Sequence, residues 1–248
     1  MTGRFDGKVA LLTGAGSGIG RATALRLASE GATVFAHDID KGRLEETNEL
    51  AGGGMTLRAG DVSDPQECHD AVAACVAELG RLDVLGNIAG IARGEHVTDV
   101  TPEQYRQMMA INLDAPFFFS QAAIPQLIES GGNIVSIASN AGLMGQAYTV
   151  VYCMTKAAVI HMTKSLAMEY MKTPIRVNAI APAGTMTNLV ANYSFPEGDL
   201  DADLFRYSGM RGMSDPEEIA GLFAYLASDE AKSVHGAVFS IDNGVTAG

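Results

Sequence analysis

A run of glycines between a strand and a helix constrains the fold of this 248-residue chain more than any other feature. The apolar stretch Val9–Thr13 is followed by Gly14-Ala-Gly-Ser-Gly-Ile-Gly20 and then by an amphipathic segment ending near Glu30. Glycines at such a turn let the backbone approach a pyrophosphate, and free N–H groups at the helix N-terminus face the phosphates. The pattern predicts a unit that binds a dinucleotide, with a tight turn that binds no ligand as the alternative.

Strand-like and helix-like segments alternate along the rest of the chain. After the first strand, further strands are expected at 32–38, 55–59, 82–88, 132–139, 174–181 and 237–241. Helices are expected at 41–50, 65–79, 103–130, 149–171 and 215–227. Such alternation predicts an α/β fold with a parallel sheet covered by helices on both faces. Because no linker or repeat is visible, residues 1–248 are expected to form a single domain.

Composition and charge narrow the possible partners. Net charge is −12 and the pI about 4.7, which argues against a nucleic-acid surface or an anionic membrane as partner. The N-terminus lacks the apolar core of a signal peptide, and no apolar run reaches membrane-spanning length. Three cysteines and five scattered histidines show no metal-ligand spacing. We therefore expect a cytoplasmic protein with reduced thiols and no metal site.

A carboxylate follows the second predicted strand and bears on cofactor choice. Asp38 lies about twenty residues after the glycine turn, where a carboxylate hydrogen-bonds an adenosine ribose and repels a 2′-phosphate. Positions 15–17 hold no cation that would attract such a phosphate. NAD is therefore predicted rather than NADP. The competing interpretation of Asp38 is a helix N-cap.

A hydroxyl, a phenol and an ammonium stand at defined spacings in the segment 139–156. Ser139 ends a strand-like run, and Tyr152 and Lys156 lie four positions apart in a segment that reads as helix. That spacing puts the last two side chains on one face, one turn apart. Because an ammonium stabilises a phenolate, we expect Lys156 to lower the pKa of Tyr152, and Ser139 to hydrogen-bond a reacting carbonyl oxygen. Together they make a proton-transfer site that needs only a hydride carrier.

With the glycine turn upstream, this set resembles the short-chain dehydrogenase/reductase (SDR) family, in its branch of chains about as long as this one. The motifs are Thr-Gly-x-x-x-Gly-x-Gly at 13–20 and Tyr-x-x-x-Lys at 152–156, and the resemblance runs from Gly7-Lys8-Val9-Ala10 to Asp242-Asn243-Gly244. It implies a Rossmann-type doubly wound parallel sheet of about seven strands in the order 3-2-1-4-5-6-7.

The resemblance also implies which residues contact the cofactor. They are Gly14, Ser17, Gly18, Ile19, Gly20, Asp38, Ile39, Asp61, Val62, Asn87, Ala89, Gly90, Tyr152, Lys156, Pro182, Gly184, Thr185 and Thr187. Three positions depart from the family pattern: Ile88 replaces an Asn, Ala183 replaces a Gly, and Thr185 replaces an aliphatic residue. Because of these departures, the sequence does not decide whether a hydrogen bond in the fourth strand is kept or which path the loop after Pro182 follows.

Asn112 joins the predicted catalytic set. Asn is unfavourable inside a helix, yet Asn112 lies within the helical segment 103–130, where Pro116 also supports a bend. The resemblance implies a locally distorted helix whose carbonyl at Asn112 holds a water bound to Lys156. The alternative is a polar residue tolerated on an exposed helix face.

Together these motifs and residues predict an NAD(H)-dependent oxidoreductase that interconverts a secondary alcohol and a ketone. Tyr152 is the general base or acid, Lys156 lowers its pKa and binds the nicotinamide ribose, Ser139 orients the substrate oxygen, and Asn112 completes a proton path. Two alternatives stay open: an NADP(H)-dependent 3-ketoacyl-type reductase, and a non-catalytic NAD-binding regulatory protein.

The substrate is predicted only as a medium-sized hydrophobic alcohol or ketone. Its pocket would draw on Ser139, Tyr152, Ala141, Met144, Gln146, Leu189 and Tyr193. The last two belong to a predicted lid at about 188–213. Apolar residues on several faces of 117–128, 150–168 and 219–227 exceed what one sheet can cover. With the family's usual pairing, they predict a homotetramer, with a dimer as second choice.

Overall fold

Seven parallel strands form one sheet in the order β3-β2-β1-β4-β5-β6-β7. The computed structural model describes residues 3–187 and 211–247. The strands are β1 Val9–Thr13, β2 Thr33–Asp38, β3 Thr56–Ala59, β4 Val84–Asn87, β5 Asn133–Ile137, β6 Arg176–Pro182 and β7 Val238–Ile241. The predicted Rossmann-type sheet and its strand order are confirmed.

Seven α-helices lie within the described ranges. They are α1 Gly18–Ser29, α2 Lys41–Leu50, α3 Pro65–Leu79, α4 Pro102–Met109, α5 Ala115–Ser130, α6 Val150–Glu169 and α7 Pro216–Ala227. Polar caps fix several starts: Asp64 accepts from the Gln66 N–H at α3, and Thr101 forms a capping box with Gln104 at α4. Gly80 and Gly131 close α3 and α5 at φ values of 77° and 64°, which glycine adopts without strain.

Each face of the sheet carries its own hydrophobic core. On one face Leu27 of α1, Leu44 of α2 and Phe223 of α7 are fully buried against the strands. On the other face the buried side chains come mainly from α3 and α5, including Val72 and Phe119. Helices on both faces follow from the alternation of strand and helix in the sequence. Because all the strands are parallel, their carboxyl ends, where ligands bind in such sheets, lie at one edge of the sheet.

The predicted helix 103–130 is interrupted. Residues Ala110–Asp114 form a short π-helical turn between α4 and α5, with Pro116 in the first turn of α5. A wide turn of this kind is typical of functional sites because it displaces backbone groups from the regular helix ladder. The local distortion expected at Asn112 is therefore present. Among the residues that the structure describes, no helix is both long and apolar enough to cross a membrane.

Candidate active site

The glycine turn is packed so tightly that side chains cannot replace its glycines. A Cβ on Gly14 would lie 2.9 Å from the Ala89 Cα, and one on Gly20 would collide with the Gly14 carbonyl. Gly18 has a φ of 51°, and a Cβ there would lie 3.0 Å from Cγ2 of Thr187. Ser17 is the N-cap of α1, but its side chain makes no capping hydrogen bond. The first N–H groups of α1 thus line a cradle suited to phosphate oxygens.

Asp38 faces this turn from the end of β2. Its Oδ2 accepts the Gly16 N–H at 2.9 Å, and its Oδ1 accepts the Asp40 N–H at 3.0 Å. The N-cap of α2 is Asp40, whose side chain accepts from the Arg43 N–H. The N-cap interpretation of Asp38 is therefore wrong. The carboxylate lies against the glycine turn, with the exposed Ile39 beside it.

Two arginines beside the glycine turn were not anticipated from sequence. Arg21 donates to the Gly16 carbonyl from Nε at 3.1 Å and from Nη2 at 2.7 Å, and Thr47 donates to the Ala15 carbonyl at 3.1 Å. The Arg43 Cβ lies 2.9 Å from where a Gly16 Cβ would stand. An arginine on a helix face usually points into solvent, so the positions of these two in the sequence did not indicate contact with the glycine turn. The base of the Arg43 side chain on α2 thus lies beside Gly16, and its Nε lies 3.2 Å from Oδ2 of Asp40.

Behind Asp38, three side chains connect β2, β3 and α3. Arg58 makes two 2.7 Å hydrogen bonds to the Glu67 carboxylate, and His37 Nε2 lies 2.9 Å from Glu67 Oε1. Burial lowers the pKa of His37, while the Glu67 carboxylate opposes that shift. Gly60 packs directly on Glu67, and its N–H donates to the Asp38 carbonyl at 3.0 Å. The network supports the end of the sheet that leads to Asp61 and Val62.

The end of β4 lies directly beside the glycine turn. Thr13 Oγ1 accepts the N–H groups of Ile88 at 2.9 Å and Ala89 at 3.1 Å, which ties β4 to β1. Asn87 is buried, and its Nδ2 donates to Ser120 Oγ at 3.1 Å. Ile88, noted in the sequence only as a departure, lines the cleft. The Ile88 side chain forms part of the cleft wall, while the Asn87 amide hydrogen-bonds to α5.

Asn112 fixes the segment that follows Gly90. It is fully buried; its Oδ1 accepts the Ile91 N–H at 2.9 Å, and its Nδ2 donates to the Ile91 carbonyl at 2.8 Å. The exposed-face alternative is therefore wrong. A Cβ on Gly90 would lie 3.3 Å from Asn112 Oδ1 and 3.5 Å from Lys156 Nζ. Asn112, Gly90 and the Lys156 ammonium therefore form one cluster.

Ser139, Tyr152 and Lys156 converge in the same cleft. Ser139 Oγ accepts the Ala141 N–H at 3.1 Å and lies 3.2 Å from Asn140 Oδ1 and 3.4 Å from the Pro182 carbonyl. Lys156 Nζ donates to the Ile137 carbonyl at 2.9 Å and lies 5.7 Å from the centre of the Tyr152 ring. The predicted constellation is thus assembled from the end of β5 and the first two turns of α6.

Burial sets the charge states of this site. Burial raises the pKa of Tyr152, and a hydrogen bond with Ser139 opposes the shift. Burial also lowers the pKa of Lys156 to about 8. The expected lowering of the Tyr152 pKa by Lys156 is not seen, because removal of the phenol from water dominates and Lys156 Nζ is bound to the Ile137 carbonyl. The phenol is therefore protonated at neutral pH, the form that can donate a proton.

Gly142 sets the distance between the serine and the other two residues. A short 3₁₀ turn, Asn140–Gly142, follows Ser139 and crosses α6. A Cβ on Gly142 would lie 2.7 Å from both the carbonyl carbon and the carbonyl oxygen of Lys156. Any larger residue would push the Ser139 turn away from α6, so Gly142 is a positioning residue that sequence reasoning missed.

The loop from Pro182 to Thr187, called here the 182–187 loop, closes the cleft. Residues from the glycine turn, β4, β5, α6 and this loop meet around it: Ile19, Ile88, Gly90, Ile137, Ala138, Ser139, Tyr152, Lys156, Pro182, Ala183, Thr185 and Thr187. The 182–187 loop therefore faces both the glycine turn and Tyr152.

Some predicted substrate residues lie near Ser139, and others are not described. Ala141 is buried in the 3₁₀ turn, Met144 is half-buried, and Gln146 Nε2 donates to Asn140 Oδ1 at 3.3 Å. Leu189, Tyr193 and most of the predicted lid lie outside the described residues. A second hollow that reaches Tyr152 is bordered by Arg93, Glu95 and Tyr148, polar residues that were not predicted.

The residues present fit a dinucleotide. The glycine turn at Gly14–Gly20 leads into the N-terminus of α1, Asp38 lies beside it, and the cleft continues from Ile19 to Tyr152 and Lys156. Across the described ranges, no three His, Cys, Asp or Glu side chains are grouped to hold a metal ion.

Known proteins resemble this chain over its whole length. A family model described as enoyl-(acyl carrier protein) reductase matches residues 14–246. The 2,5-dichloro-2,5-cyclohexadiene-1,4-diol dehydrogenase of Sphingobium indicum is 39% identical, with 100% of each chain covered. The meso-2,3-butanediol dehydrogenase of Serratia marcescens is 34% identical, over 98% of this chain and 96% of the relative.

Solved structures agree with these relatives. Carveol dehydrogenase from Mycobacterium avium, in complex with NAD, superposes with a TM-score of 0.89 at 29% identity and 100% coverage of both chains. A short chain dehydrogenase from Burkholderia cenocepacia, in complex with NADP, gives a TM-score of 0.88 at 31% identity, over 98% of this chain and 99% of that one. Structural likeness therefore extends to proteins that bind either nicotinamide dinucleotide.

Proposed function

The chain belongs to the short-chain dehydrogenase/reductase family, and we propose that it is an NAD(H)-dependent oxidoreductase interconverting a secondary alcohol and a ketone. As a member it is an oxidoreductase of alcohol and ketone substrates that uses a nicotinamide cofactor. One observation carries the proposal. Ser139, Tyr152 and Lys156 line the same cleft as Ile19 of the glycine turn and the 182–187 loop. Proton-transfer groups are thereby joined to a dinucleotide site.

The proton chemistry rests on the phenol. For ketone reduction, Tyr152 donates its O–H proton to the carbonyl oxygen. For alcohol oxidation, the phenol proton first leaves along the path beside Lys156, and the Tyr152 oxygen then accepts the hydroxyl proton. Ser139 orients and polarises that oxygen from the other side. The nicotinamide, when bound, supplies or accepts the hydride. The buried Tyr152 and the protonated Lys156 supply the proton and the positive charge that the developing oxyanion needs.

Lys156 and Asn112 form the route by which the proton is replaced. The Lys156 pKa of about 8 lets this ammonium exchange protons near neutral pH. Gly90 lies between Lys156 Nζ and Asn112 Oδ1, and the π-helical turn interrupts the regular helix ladder there. We expect a water-mediated path from Tyr152 through Lys156 to the Asn112 carbonyl.

Asp38 supports NAD as the cofactor. Its carboxylate would accept hydrogen bonds from the adenosine ribose and repel a 2′-phosphate. Two like unit charges about 4 Å apart near a protein surface repel each other by about 4 kcal/mol. A repulsion of this size between Asp38 and a 2′-phosphate would strongly favour NAD over NADP. Because relatives bind NAD or NADP, the choice depends on such local residues. Arg43, and Arg21 on the Gly16 carbonyl, are nearby cations that oppose this preference.

Apolar side chains on or beside the 182–187 loop and the Ser139 turn support a hydrophobic substrate. Met213 packs against Gly184, with 3.4 Å between its Cγ and the position of a Gly184 Cβ, and it is 40% exposed. Met186 is also exposed, and Met144 is half-buried beside the Ser139 turn. Flexible thioethers adapt to irregular apolar ligands. A medium-sized, cyclic secondary alcohol fits this surface and the dehydrogenases of cyclic alcohols among the relatives.

We expect the protein to assemble as a homotetramer, with a dimer as the second choice. Phe117 on α5 and Val150 and Met154 on α6 are each more than 40% exposed, as an apolar interface between copies requires. On α7 the surplus is smaller than predicted, because Ile219 and Phe223 are buried within the chain. The three free cysteines fit a reducing cytoplasm. Light scattering after gel filtration measures the assembly.

The experiment that tests the function is oxidation of a panel of alcohols. Cyclohexanol, carveol, 2,3-butanediol and a primary alcohol are each offered with NAD⁺ and with NADP⁺, and formation of the reduced cofactor is recorded. We expect turnover of secondary alcohols with NAD⁺. Turnover confined to NADPH and a 3-ketoacyl thioester would identify the reductase alternative instead. Dinucleotide binding without turnover of any substrate, in either direction, would favour the regulatory alternative.

A further inference from the structure

The described part of the chain ends in a tight turn, residues 242–246, directly after β7. The Asp242 carboxylate forms this turn by accepting the N–H groups of Gly244 and Thr246, each at 3.0 Å. In the pairing of β6 with β7, Ile241 lies opposite Pro182, and the Ala183 N–H donates to the Ile241 carbonyl at 3.4 Å. The turn therefore lies beside the first residues of the 182–187 loop.

Asn243 occupies an unusual position in this turn. Its φ is 55°, and only Tyr148 shares a positive φ among the non-glycine residues of the described ranges. Asn adopts this region more readily than most residues, but glycine would do so at no cost. The Asn243 amide donates to the Gly212 carbonyl at 3.0 Å and to Ser214 Oγ at 3.2 Å. Those two contacts require a side-chain donor, which glycine does not have.

Ser214 connects Asn243 to the cleft. Its N–H donates to the Gly184 carbonyl at 3.0 Å, and its carbonyl accepts the Met186 N–H at 3.0 Å. Thr185, which lies between them, pairs with Ser214 as a parallel β-bridge, and both residues are 4% exposed. Thr185 lines the cleft together with Tyr152 and Lys156. A displacement of Ser214 would therefore move the 182–187 loop.

We propose that Asn243 is a positioning residue for the nicotinamide end of the cofactor site. Through Ser214 it holds the 182–187 loop against the cleft, without touching the reacting atoms. The proposal rests on the proposed function, because it assumes that a nicotinamide lies against Thr185 and Thr187. The adenosine, at Asp38, lies apart from these contacts, whereas Thr187 also packs against Gly18 of the glycine turn, where the pyrophosphate would lie. Loss of the Asn243 amide is therefore expected to affect one half of the cofactor and spare the other.

Asn243→Gly separates the side chain from the backbone, since glycine keeps the positive φ. We expect this variant to bind NADH about fivefold to tenfold more weakly, because without the two hydrogen bonds the loop holds its binding position in a smaller fraction of the molecules. AMP, which keeps the adenosine and lacks the nicotinamide and its ribose, should bind within about twofold of its wild-type affinity, because Asp38 lies outside the contacts of the 182–187 loop. Ser214→Ala, which removes only one acceptor, should give a smaller loss for NADH. The melting temperature of each variant is recorded as a check on folding.

Two results would overturn the proposal: unchanged NADH affinity in Asn243→Gly, or equal weakening of NADH and AMP. The second result would mean general loosening rather than positioning. If the wild-type protein binds NADPH instead of NADH, the cofactor assignment fails on its own, and NADPH with adenosine 2′,5′-bisphosphate makes the same comparison. Wild-type protein that binds neither dinucleotide overturns both proposals.

Discussion

Replacement of Lys156 by Met should remove a pH-dependent cost that the folded protein carries. Lys156 is 4% exposed, and its pKa falls from 10.5 to about 8 because burial penalises the ammonium. At about 1.4 kcal/mol for each pH unit, folding with a protonated Lys156 costs about 3 kcal/mol. Methionine has a similar length and no charge, so Lys156→Met is free of this cost.

The sign follows from proton binding in the two states. Between about pH 8 and pH 10.5 the unfolded chain holds a proton on Lys156 that the folded chain has lost, so stability rises with pH. The stability gained from the neutral Lys156 amine is complete above pH 10.5 and is lost as the pH falls through about 8. From about pH 7 to about pH 9.5, the free energy of unfolding of the wild type should rise by about 2 kcal/mol relative to Lys156→Met.

Urea unfolding followed by circular dichroism, at fixed protein concentration and several pH values, measures this difference. Lys164→Met is the matched control, because Lys164 is exposed on the same helix and should follow the wild type. The absolute stability of Lys156→Met at neutral pH is less informative, since the variant also leaves the Ile137 carbonyl without its donor. Parallel pH curves for wild type and Lys156→Met would refute the reasoning.

Three further predictions concern other parts of the site. Asp38→Ser should raise NADPH affinity at least about tenfold in a fluorescence titration, and Asp38→Ser with Arg43→Gln should lose most of that gain; an unchanged NADPH affinity contradicts the assignment. Gly142→Ala should lower kcat about tenfold or more, because small misplacements at a reacting centre are costly. Gly145→Ala, whose Cβ would meet no atom within 4 Å, should match the wild type in the same kinetic assay, and equal activity of both variants would contradict the role of Gly142. Because burial lowers the pKa of His37, the stability it contributes is complete above about pH 6.5 and is lost as the pH falls. Urea unfolding should therefore show a smaller loss of stability on acidification in His37→Gln than in the wild type. An equal loss in both proteins would contradict this effect of His37 burial.

The sequence predicted most of the fold because the signals for a βα unit are local. Apolar runs, Pro at helix starts and Gly at helix ends placed α2 and α3 at their observed bounds. The π-helical turn was expected only as a distortion near Asn112, since its exact form depends on packing against Thr155 and Ile91.

Contacts between distant residues account for what the sequence did not reveal. Arg21 reaches Thr47 across 26 positions, and His37 reaches Glu67 across 30, so neither pair forms a recognisable motif. The pKa of Tyr152 was predicted from its neighbour in sequence, yet burial by the surrounding fold raises it. Asn243 appeared only as the end of the family resemblance, and the bridge between Thr185 and Ser214 brings its partners at 212 and 214 to the end of β6.

The central claim is that Tyr152 carries the proton in an NAD(H)-dependent reaction. It is tested most directly by oxidation of a secondary alcohol with NAD⁺ by the wild type and by Tyr152→Phe, alongside NADH titration of both. Loss of the phenol oxygen should reduce turnover by about a thousandfold, within the range of general acid–base catalysis, and leave NADH affinity within about twofold. Near-normal turnover by Tyr152→Phe would contradict the account.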